Sequence, residues 1–317
     1  MGKIENYPSV AVVGAGAVGC YFGGMLARSG VRVKLIGRAS HVEAIRREGL
    51  LLDGLHVHER IPIPATTSMQ EGLRGAGVVL FCVKSVSTES AAREMKPFLP
   101  PDAALFSFQN GVDNPDRIHA AIQAYSIPTA VYVAAEMTAP HCVTHTGRGD
   151  LIIGHHAGWP RTPDLAPLAA MFEQAGIPCK LSDNIAADLW AKMVMNCAYN
   201  ALSALTRSQY GRMVRSEPVR AFGVRVIQET VAVARAEGAA LDEQAMVDAA
   251  FRLAEKMTLA TSSMAQDLAR GRATEIDSLN GYVVRRGRAL GIDTPSSELL
   301  VAMLQLLEQS VLNRPAD

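Results

Sequence analysis

The feature of the sequence that most constrains the fold is a glycine-rich turn near the start of the chain. An apolar run, SVAVV, leads directly into GAGAVG, and the amphipathic segment VGCYFGGMLARSG follows. Glycines in the G-x-G-x-x-G arrangement permit a tight turn, and the N-terminus of the next helix offers backbone amides to a pyrophosphate. A glycine-rich turn without a ligand is the alternative. The pattern predicts a dinucleotide-binding loop formed by Gly14, Ala15, Gly16, Ala17, Val18 and Gly19.

Short apolar runs alternate with helical patterns through the first half of the chain. The strand-like runs lie at residues 9–13, 31–36, 78–84, 104–108 and 129–134. This alternation is typical of a parallel sheet with helices on both faces. Two later runs, at 143–146 and 151–154, are joined by Gly147-Arg148-Gly149-Asp150 and predict a hairpin at the sheet edge.

From Asp183 onward the pattern is almost wholly helical. The predicted helices cover about residues 183–206, 216–237, 242–256, 273–290 and 296–312. Gly238 and Gly291 suit helix ends, Thr274 suits the start of the fourth helix, and Ser296 or Ser297 can cap the last one. The predicted fold class is therefore α/β, with an N-terminal Rossmann-type doubly wound parallel sheet over residues 1–183 and an all-helical C-terminal domain over residues 184–317.

Composition excludes several classes of protein. The 317 residues include 31 basic and 31 acidic ones, so we expect neither nucleic acid nor an anionic membrane as a partner. Five scattered cysteines form no C-x-x-C pair, and no apolar run approaches the roughly 18 residues of a membrane span. We expect a cytoplasmic protein with a small-molecule partner. The oligomeric state is left open, with a homodimer as one option.

Polar residues follow three of the predicted strands. The second strand runs into KLIGRAS, so Arg38 stands where NAD-binding sequences place an acidic residue for the ribose. Arginine can pair with a 2′-phosphate, which favours NADP(H), whereas a plain surface arginine is the alternative. Lys84 ends a third predicted strand, and Gln109-Asn110-Gly111 follows a fourth. Taken singly, each is equally well interpreted as a loop residue, and Asn110-Gly111 is an ordinary turn pair. Because parallel strands bind ligands at their carboxyl ends, Lys84 can reach a phosphate or ribose, and Asn110 can bridge cofactor and substrate.

A row of polar side chains marks the first helix of the C-terminal domain. In LWAKMVMNCAYNAL, Lys192, Asn196 and Asn200 are spaced four apart among apolar residues, which confines them to an arc about 80° wide. A buried ammonium costs on the order of several kcal/mol unless it faces a cavity, a carboxylate or a substrate. A lysine that reaches solvent beside two structural amides is the alternative. Candidate partners come from SSMAQDLARGRATEID, namely Ser262, Ser263, Asp267, Glu275 and Asp277.

Together these motifs resemble the ketopantoate reductase (2-dehydropantoate 2-reductase) family, over about residues 9–290. The resemblance rests on the glycine loop, Lys84, Gln109-Asn110-Gly111, the Lys192 row, Ser262-Ser263-Met264 with Asp267, and Thr274-Glu275-Ile276-Asp277 with Asn280-Gly281. It implies a Rossmann domain that holds NADPH and a helical domain that closes over 2-dehydropantoate.

The resemblance also implies roles for individual residues. Lys192 is the implied proton donor, and Glu275 is the second implied catalytic residue. The implied substrate-binding residues are Asn110, Lys192, Asn196, Asn200 and Ser263. The implied NADPH contacts beyond the glycine loop are Arg38, Lys84, Asn110, Glu275 and the backbone of Ala134.

The sequence departs from the family pattern in three places. AAEMTAP places Glu136 and Met137 near the expected nicotinamide pocket, Ala201 replaces a common proline, and Tyr210 replaces an asparagine that some members carry. These departures leave the substrate open, because relatives of the family reduce other 2-oxo acids.

The implied reaction is reduction of 2-dehydropantoate to pantoate, a step of pantothenate and coenzyme A biosynthesis. Hydride from NADPH reaches the C2 ketone, and Lys192 supplies the proton. One alternative is an NADP-dependent reductase or dehydrogenase of another 2-oxo or hydroxy acid. Another is a regulatory protein that senses NADP, which would leave the Lys192 row without a role. No metal site is predicted, because His141 and His145 are four apart in a predicted strand or loop rather than on one helical face.

Overall fold

The computed structural model describes residues 7–55, 57–160 and 163–312, and the chain divides into two compact units. The first unit comprises the chain up to Gln109 together with Asp113–Ile185. The second comprises Asn110–Val112 together with the chain from Ala186. The sequence placed a boundary between residues 183 and 184. It gave no sign that Asn110–Val112 belongs with the helices, because that assignment depends on contacts between residues far apart in the chain.

The first unit is built on a mixed but mostly parallel sheet. Its strands are β1 (Val10–Val13), β2 (Val33–Ile36), β3 (Leu50–Gly54), β4 (His58–Ile61), β5 (Ala65–Thr66), β6 (Val78–Phe81), β7 (Ala104–Ser107), β8 (Ile127–Ala139), β9 (Cys142–Ile153) and β10 (Cys179–Leu181). The strand order is β4-β3-β9-β8-β7-β6-β1-β2-β5, and β10 pairs with β9. Among the described pairs, β3 with β4 and β8 with β9 are antiparallel and the others are parallel.

Helices connect the parallel strands of this unit. They are α1 (Ala17–Arg28), α2 (Ala39–Glu48), α3 (Met69–Leu73), α4 (Thr88–Met95), α5 (Asn114–Ile122) and α6 (Ala166–Gln174), with 3-10 turns at Ser85–Ser87 and Lys96–Phe98. Strand β1 is buried throughout, with Val10 and Val12 in one core cluster and Ala11 and Val13 in another. A strand that is apolar on both faces is what a covered parallel sheet requires. The predicted fold class is confirmed.

The predicted edge hairpin is wrong. Its residues form a single long strand, β9, which runs antiparallel to β8. The pairing shifts register on both sides of Ala134, and Arg148 adopts a positive φ of 44° there. A Cβ at Gly149 would collide with the Tyr21 hydroxyl on α1. The glycines therefore allow a bulged strand to lie close to a helix, and they do not form a chain reversal.

Strands β3 and β4 were not predicted from the sequence. Three of the four residues of β4 are exposed, so HERI carries no alternation of apolar and polar residues. The strand lies at the end of the sheet order and pairs with β3. An edge strand of this kind has little buried surface, so the hydrophobic pattern that reveals other strands is missing.

The second unit is helical. Its helices are α7 (Ile185–Thr206), α8 (Tyr210–Arg215), α9 (Glu217–Ala236), α10 (Glu243–Lys256), α11 (Ser263–Ala269), α12 (Asn280–Leu290) and α13 (Pro295–Leu312), with a 3-10 turn at Ile276–Ser278. The short helices α8 and α11 were not predicted. None of the helices in the described parts of the chain combines the length and apolar character that crossing a membrane requires.

The predicted helix at 273–290 begins later than expected. Thr274 Oγ1 does accept a hydrogen bond from the backbone of Ile276 at 3.2 Å, but the turn that follows is a 3-10 turn. Leu279, with φ −109° and ψ −105°, then interrupts the helical backbone, so that α12 starts at Asn280. At the other end, Gly291 has the left-handed φ of 69° that the prediction required.

The last helix does not depend on its own serines for a cap. The backbone amides of Ser296 and Ser297 donate to the two carboxylate oxygens of Glu229, at 2.8 and 2.9 Å. Glu229 lies on α9, so a different helix supplies the acceptors for the first turn of α13. A negative side chain at a helix N-terminus satisfies unpaired amides and complements the helix dipole.

Candidate active site

The glycine loop joins β1 to α1, and two of its three motif glycines leave no room for a Cβ. Gly14 has φ 107°, and a Cβ there would lie 2.9 Å from the backbone of Cys82. A Cβ on Gly19 would collide with the carbonyl oxygen of Gly14, so this glycine lets the helix approach the turn. A Cβ on Gly16 would meet nothing within 4 Å. The space in front of Gly16 is therefore open.

Helix α1 begins directly after Gly16. Gly16 is the N-cap residue and offers no side chain, and the first turn contains no acidic residue. Ala17, Val18 and Gly19 occupy that turn, where backbone N–H groups have no acceptor within the helix. Together with the positive end of the helix dipole, these amides suit a pyrophosphate. The loop thus fits the dinucleotide that the sequence predicts.

Arg38 lies next to this loop. Strands β1 and β2 pair in parallel, and the backbone amides of Gly14 and Ala15 both donate to the Ile36 carbonyl oxygen at 2.9 Å. Gly37 lies against Ala15, since a Cβ on Gly37 would be 2.6 Å from the Ala15 Cβ. Arg38 follows as the N-cap of α2, and its side chain is exposed. An exposed guanidinium here can reach an anion bound beside the loop.

Lys84 and Ala134 lie farther along the sheet. Cys82, two residues before Lys84, donates its amide to the Val13 carbonyl oxygen at 2.8 Å, beside the glycine turn. The Lys84 side chain is half-buried. Ala134 lies at the register shifts of β8, and its carbonyl oxygen accepts a hydrogen bond from Thr146 at 3.4 Å. A bulge of this kind redirects a strand locally, which suits a backbone that contacts a ligand.

Gln109 has a structural role that the sequence did not reveal. Its side chain is 5% exposed, and Nε2 donates to the Val83 carbonyl oxygen at 3.1 Å and to Thr88 Oγ1 at 2.8 Å. Its Oε1 accepts from Ser107 at 3.2 Å. The amide therefore ties the end of β7 to the segment that follows β6 and carries Lys84.

Three predicted site residues meet in the second unit. Lys192, on α7, donates from Nζ to Asn110 Oδ1 at 2.9 Å. Asn110 in turn donates from Nδ2 to Glu275 Oε2 at 2.9 Å. Glu275 immediately precedes the 3-10 turn. All three side chains are partly buried, and the amide lies between a cation and an anion. The structure thus brings together an ammonium group, a two-sided hydrogen-bonding amide and a carboxylate.

Asn196 and Asn200 continue the row along α7. Asn200 is 5% exposed, and Asn196 is half-buried. Neither side-chain amide forms a hydrogen bond with any residue in the described ranges. Partly buried amides are normally paired, so amides left open beside a lysine are suited to a ligand. The alternative of two structural amides receives no support from the hydrogen bonds.

Ser263 depends on its neighbour Ser262 for its position. Ser262 Oγ donates to the Asn200 carbonyl oxygen at 3.0 Å, and the Ser262 amide donates to Ser203 Oγ at 3.1 Å. Ser262 also caps α11 by accepting from Ala265 at 3.0 Å. Ser263 is the exposed first residue of that helix. The sequence motif included both serines. Only the structure shows that Ser262 forms the structural hydrogen bonds and that Ser263 is exposed.

Two of the departures from the family pattern are core residues. Tyr210 is 8% exposed and stacks on Tyr199 with ring centroids 5.1 Å apart. Burial raises the pKa of the Tyr210 hydroxyl to about 12, so it stays neutral. Ala201 is fully buried in the same cluster. Glu136 and Met137 lie on β8, both half-buried, and Met137 packs against the core of the first unit.

Two cysteine thiols, those of Cys20 and Cys197, are fully buried. Burial raises the pKa of the Cys20 thiol and of the Cys197 thiol to about 12, which keeps both protonated. Within the described ranges, His, Cys, Asp and Glu side chains form no group of three or more that could hold a metal ion.

A dinucleotide-type glycine loop combined with a lysine, amide and carboxylate cluster is typical of nicotinamide-dependent oxidoreductases. Comparison with known proteins identifies the family within that class. The family described as "Ketopantoate reductase PanE/ApbA" matches residues 10–158, and "Ketopantoate reductase PanE/ApbA C terminal" matches residues 184–308. The chain belongs to the ketopantoate reductase family and is an oxidoreductase. Membership supports a nicotinamide cofactor and a small-molecule substrate.

Individual relatives agree with this assignment. A 2-dehydropantoate 2-reductase from Halobacterium salinarum is 32% identical over 303 residues, which cover 95% of this chain and 99% of the relative. A crystal structure of a PanE/ApbA family ketopantoate reductase from Ralstonia eutropha JMP134 is 48% identical, with a TM-score of 0.89 over 96% of this chain and 99% of that one. A D-mandelate dehydrogenase structure with NADH and anilino(oxo)acetate, at 24% identity and TM-score 0.89 over 96% and 99% of the two chains, shares the fold.

Proposed function

We propose that this chain reduces 2-dehydropantoate to pantoate with NADPH, as a step of pantothenate and coenzyme A biosynthesis. Lys192 is the proposed proton donor. The observation that carries the proposal is the pair of 2.9 Å hydrogen bonds by which Asn110 joins Lys192 to Glu275. The Halobacterium salinarum relative bears the name of this activity and matches 95% of the chain.

The cofactor assignment rests on the glycine loop and its neighbours. We assign the pyrophosphate to the first-turn amides of α1, which lie beside the open space at Gly16. The 2′-phosphate of NADPH is assigned to the exposed Arg38, since no carboxylate follows β2 at that point. NADPH supplies the hydride for the substrate carbonyl. The residues proposed to contact its nicotinamide half are Lys84, Asn110, Ala134 and Glu275.

Lys192 completes the reduction by proton transfer. As a hydride adds to C2 of the 2-oxo acid, the carbonyl oxygen gains negative charge and takes a proton from Nζ. The products are a 2-hydroxy acid and a neutral amine, which regains its proton from solvent. Until transfer, the charged amine needs an acceptor, and Asn110 Oδ1 provides one at 2.9 Å. The anionic Glu275 polarises that amide from the other side, which strengthens the acceptor.

Asn196 and Asn200 are proposed to orient the substrate. They follow Lys192 by one and two helical turns, about 6 Å apart along the axis at each step. Their unpaired amides can bind the carboxylate and a hydroxyl of the substrate, and Ser263 can add its exposed hydroxyl. An acid and its substrate held at fixed spacing on one rigid helix favour reaction, because a misplacement of about 1 Å can cost ~100-fold in rate.

A matched pair of substrates tests the proposal. 2-Dehydropantoate and 3,3-dimethyl-2-oxobutanoate differ in a single hydroxyl, and NADPH consumption measures turnover of each. We expect kcat/KM to be at least ~100-fold higher for 2-dehydropantoate, because a site built to bind a hydroxyl rejects an analogue without it. A reversed preference would assign the chain to another 2-oxo acid. Absence of turnover with any 2-oxo acid would contradict the mechanism as well.

We extend the proposal to a homodimer in the cytoplasm. Free cysteines support a reducing compartment, since none of the five forms a disulfide. Leu299, Met303 and Leu306 support self-association, because they lie along one face of α13 and are 52%, 48% and 66% exposed. Light scattering on the wild type and on Leu306→Glu tests the dimer, which the charged variant should weaken. A monomeric wild type would contradict it.

A further inference from the structure

The helical unit contains a cleft whose residues have no part in the proposed reaction. It has a volume of about 240 Å³, and its walls come from the α8–α9 region and from the end of α10. An apolar recess beside it is lined by Ala198 and Leu202 of α7. At 100° per residue, Ala198 lies about 160° around the helix from Asn196. The cleft therefore adjoins a different face of α7 from the Lys192 row.

The lining of this cleft combines an apolar surface with unpaired charges. Val214 and Phe251 supply the apolar part, and Arg220 lies over the Phe251 ring with its Cζ 4.5 Å from the centroid. Arg215 and Glu255 complete the charged lining. None of these three charged side chains forms a hydrogen bond or ion pair with a residue in the described ranges. The two arginines and the glutamate thus line one cleft without forming ion pairs with one another.

The surrounding sequence is basic, although the charges of the whole chain balance. Between residues 207 and 225, RSQYGRMVRSEPVRAFGVR contains five arginines and a single acidic residue, Glu217. The whole chain has 31 basic and 31 acidic residues. This local excess attracts anions to the part of the helical unit where the cleft lies.

We propose that the cleft binds a small monocarboxylate with an apolar body. Arginine fits a carboxylate with paired N–H donors, and Arg220, whose Cζ lies over the Phe251 ring, forms no hydrogen bond or ion pair with its side chain in the described ranges. Two arginines and one glutamate give the lining a net charge of +1, which complements one negative charge. A dianion would be repelled by Glu255. The volume suits a ligand of on the order of ten non-hydrogen atoms, with its apolar part on Val214 and Phe251.

Calorimetric titration with 4-methylpentanoate, and with its uncharged amide as a control, tests this site. We expect saturable binding of the carboxylate with a dissociation constant on the order of 1 mM, and no saturation with the amide. Arg220→Gln and Arg215→Gln should each raise the constant about tenfold, because each removes a charge-assisted hydrogen bond. Arg225→Gln is the matched control, since Arg225 also lies over a phenyl ring, that of Phe222, but does not line the cleft.

Glu255→Gln gives a readout that a misfolded protein cannot imitate. The variant removes a negative charge that repels the carboxylate of the ligand, so the dissociation constant for 4-methylpentanoate should fall about threefold. Unchanged or weaker binding in this variant would contradict the arrangement of charges we propose.

Lys192→Met separates this cleft from the reductase site. The variant should bind 4-methylpentanoate like the wild type. If binding is lost in Lys192→Met but kept in Arg220→Gln, the carboxylate occupies the substrate row and the inference is overturned. Equal binding of the amide, or no saturable binding, overturns it too. Turnover of 2-dehydropantoate by Arg220→Gln should match the wild type, so failure here leaves the proposed reaction untouched.

Discussion

Asn110 donates a hydrogen bond from Nδ2 to Oε2 of Glu275 across 2.9 Å, although the two residues lie 165 positions apart in the chain. The other end of the same amide accepts from Lys192 at 2.9 Å. An ammonium can only donate and a carboxylate can only accept, so the two partners fix which way the amide faces. An uncharged side chain with one donor end and one acceptor end thus holds a cation and an anion in defined positions.

Asn110→Asp should disrupt this arrangement in a pH-dependent way. At neutral pH the new carboxylate faces Glu275 with like charge and cannot donate, so we expect kcat to fall about 100-fold. As pH decreases, one proton shared by the two carboxyl groups restores the donor, and kcat should partly recover. The measurement is kcat against pH for wild type, Asn110→Asp and Asn110→Ala. The alanine variant should lose activity without such recovery, and an aspartate variant with the wild-type profile would contradict the role of Asn110.

Lys192→Met should slow the chemical step strongly and leave cofactor binding intact. Loss of a general acid lowers kcat by about 10²–10⁴-fold, whereas the glycine loop and Arg38 are unaltered. Stopped-flow measurement of single-turnover reduction, together with NADPH binding by fluorescence, separates the two effects. Lys256→Met is the matched control, because Lys256 is an exposed lysine on α10 of the same unit. Near-normal turnover in Lys192→Met would remove lysine from the role of acid.

Arg38→Ala should change cofactor preference. Loss of charge-assisted hydrogen bonds to a 2′-phosphate should raise KM for NADPH by about 10–30-fold and leave KM for NADH within about twofold. Steady-state kinetics with both cofactors gives the ratio of KM for NADPH to KM for NADH in each variant. Arg32 is an exposed arginine at the opposite, amino end of β2, so Arg32→Ala should alter neither value. An equal effect of Arg38→Ala on both cofactors would count against the assignment.

Glu229→Ala should destabilise the helical unit and leave kcat unchanged. The variant leaves the amides of Ser296 and Ser297 without their acceptor, at a cost of about 1–2 kcal/mol in the free energy of unfolding. Urea unfolding followed by Trp190 fluorescence, in a Trp159→Phe background, measures the change. Glu298→Ala is the control: it removes an ion pair with Arg288 whose side chains are 42% and 70% exposed, and should cost less than about 0.5 kcal/mol.

The His156–Asp116 pair should make stability depend on pH. A hydrogen bond to Asp116 raises the pKa of His156 above its ordinary value of 6.5. A folded-state pKa above the unfolded one gives stability that is complete below about pH 6.5 and is lost as pH rises through the folded value. The effect should be on the order of 0.5 kcal/mol, because Asp116 is 59% exposed and screened by solvent.

Urea unfolding of wild type and Asp116→Asn at about pH 6 and about pH 8.5 measures this difference. The variant should lose the extra stability at the lower pH. Trp159 gives a local signal, because its ring stacks on His156 with centroids 4.1 Å apart. A pH dependence identical in both proteins would contradict the pairing.

Several features of the candidate site could be predicted because their chemistry is local. Gly14, Gly16 and Gly19 lie in one loop, and their spacing predicted a tight turn, in which the structure leaves no room for a Cβ at Gly14 or Gly19. The Lys192 row follows from the period of a single helix. Other features depend on distant partners. The sequence is compatible with a loop residue at Gln109, whereas in the structure its side chain donates hydrogen bonds to Val83 and Thr88.

The sequence by itself determined the α/β class, the glycine loop and the polar row of α7, since each depends on residue types repeated over at most a few turns or strands. Only the tertiary structure decided that GRGD lies in a bulged strand, that Glu229 caps α13, and that Asn110 joins Lys192 to Glu275. Those outcomes depend on which side chains come within about 3 Å of each other. Such distances are set by packing between segments that the sequence keeps far apart.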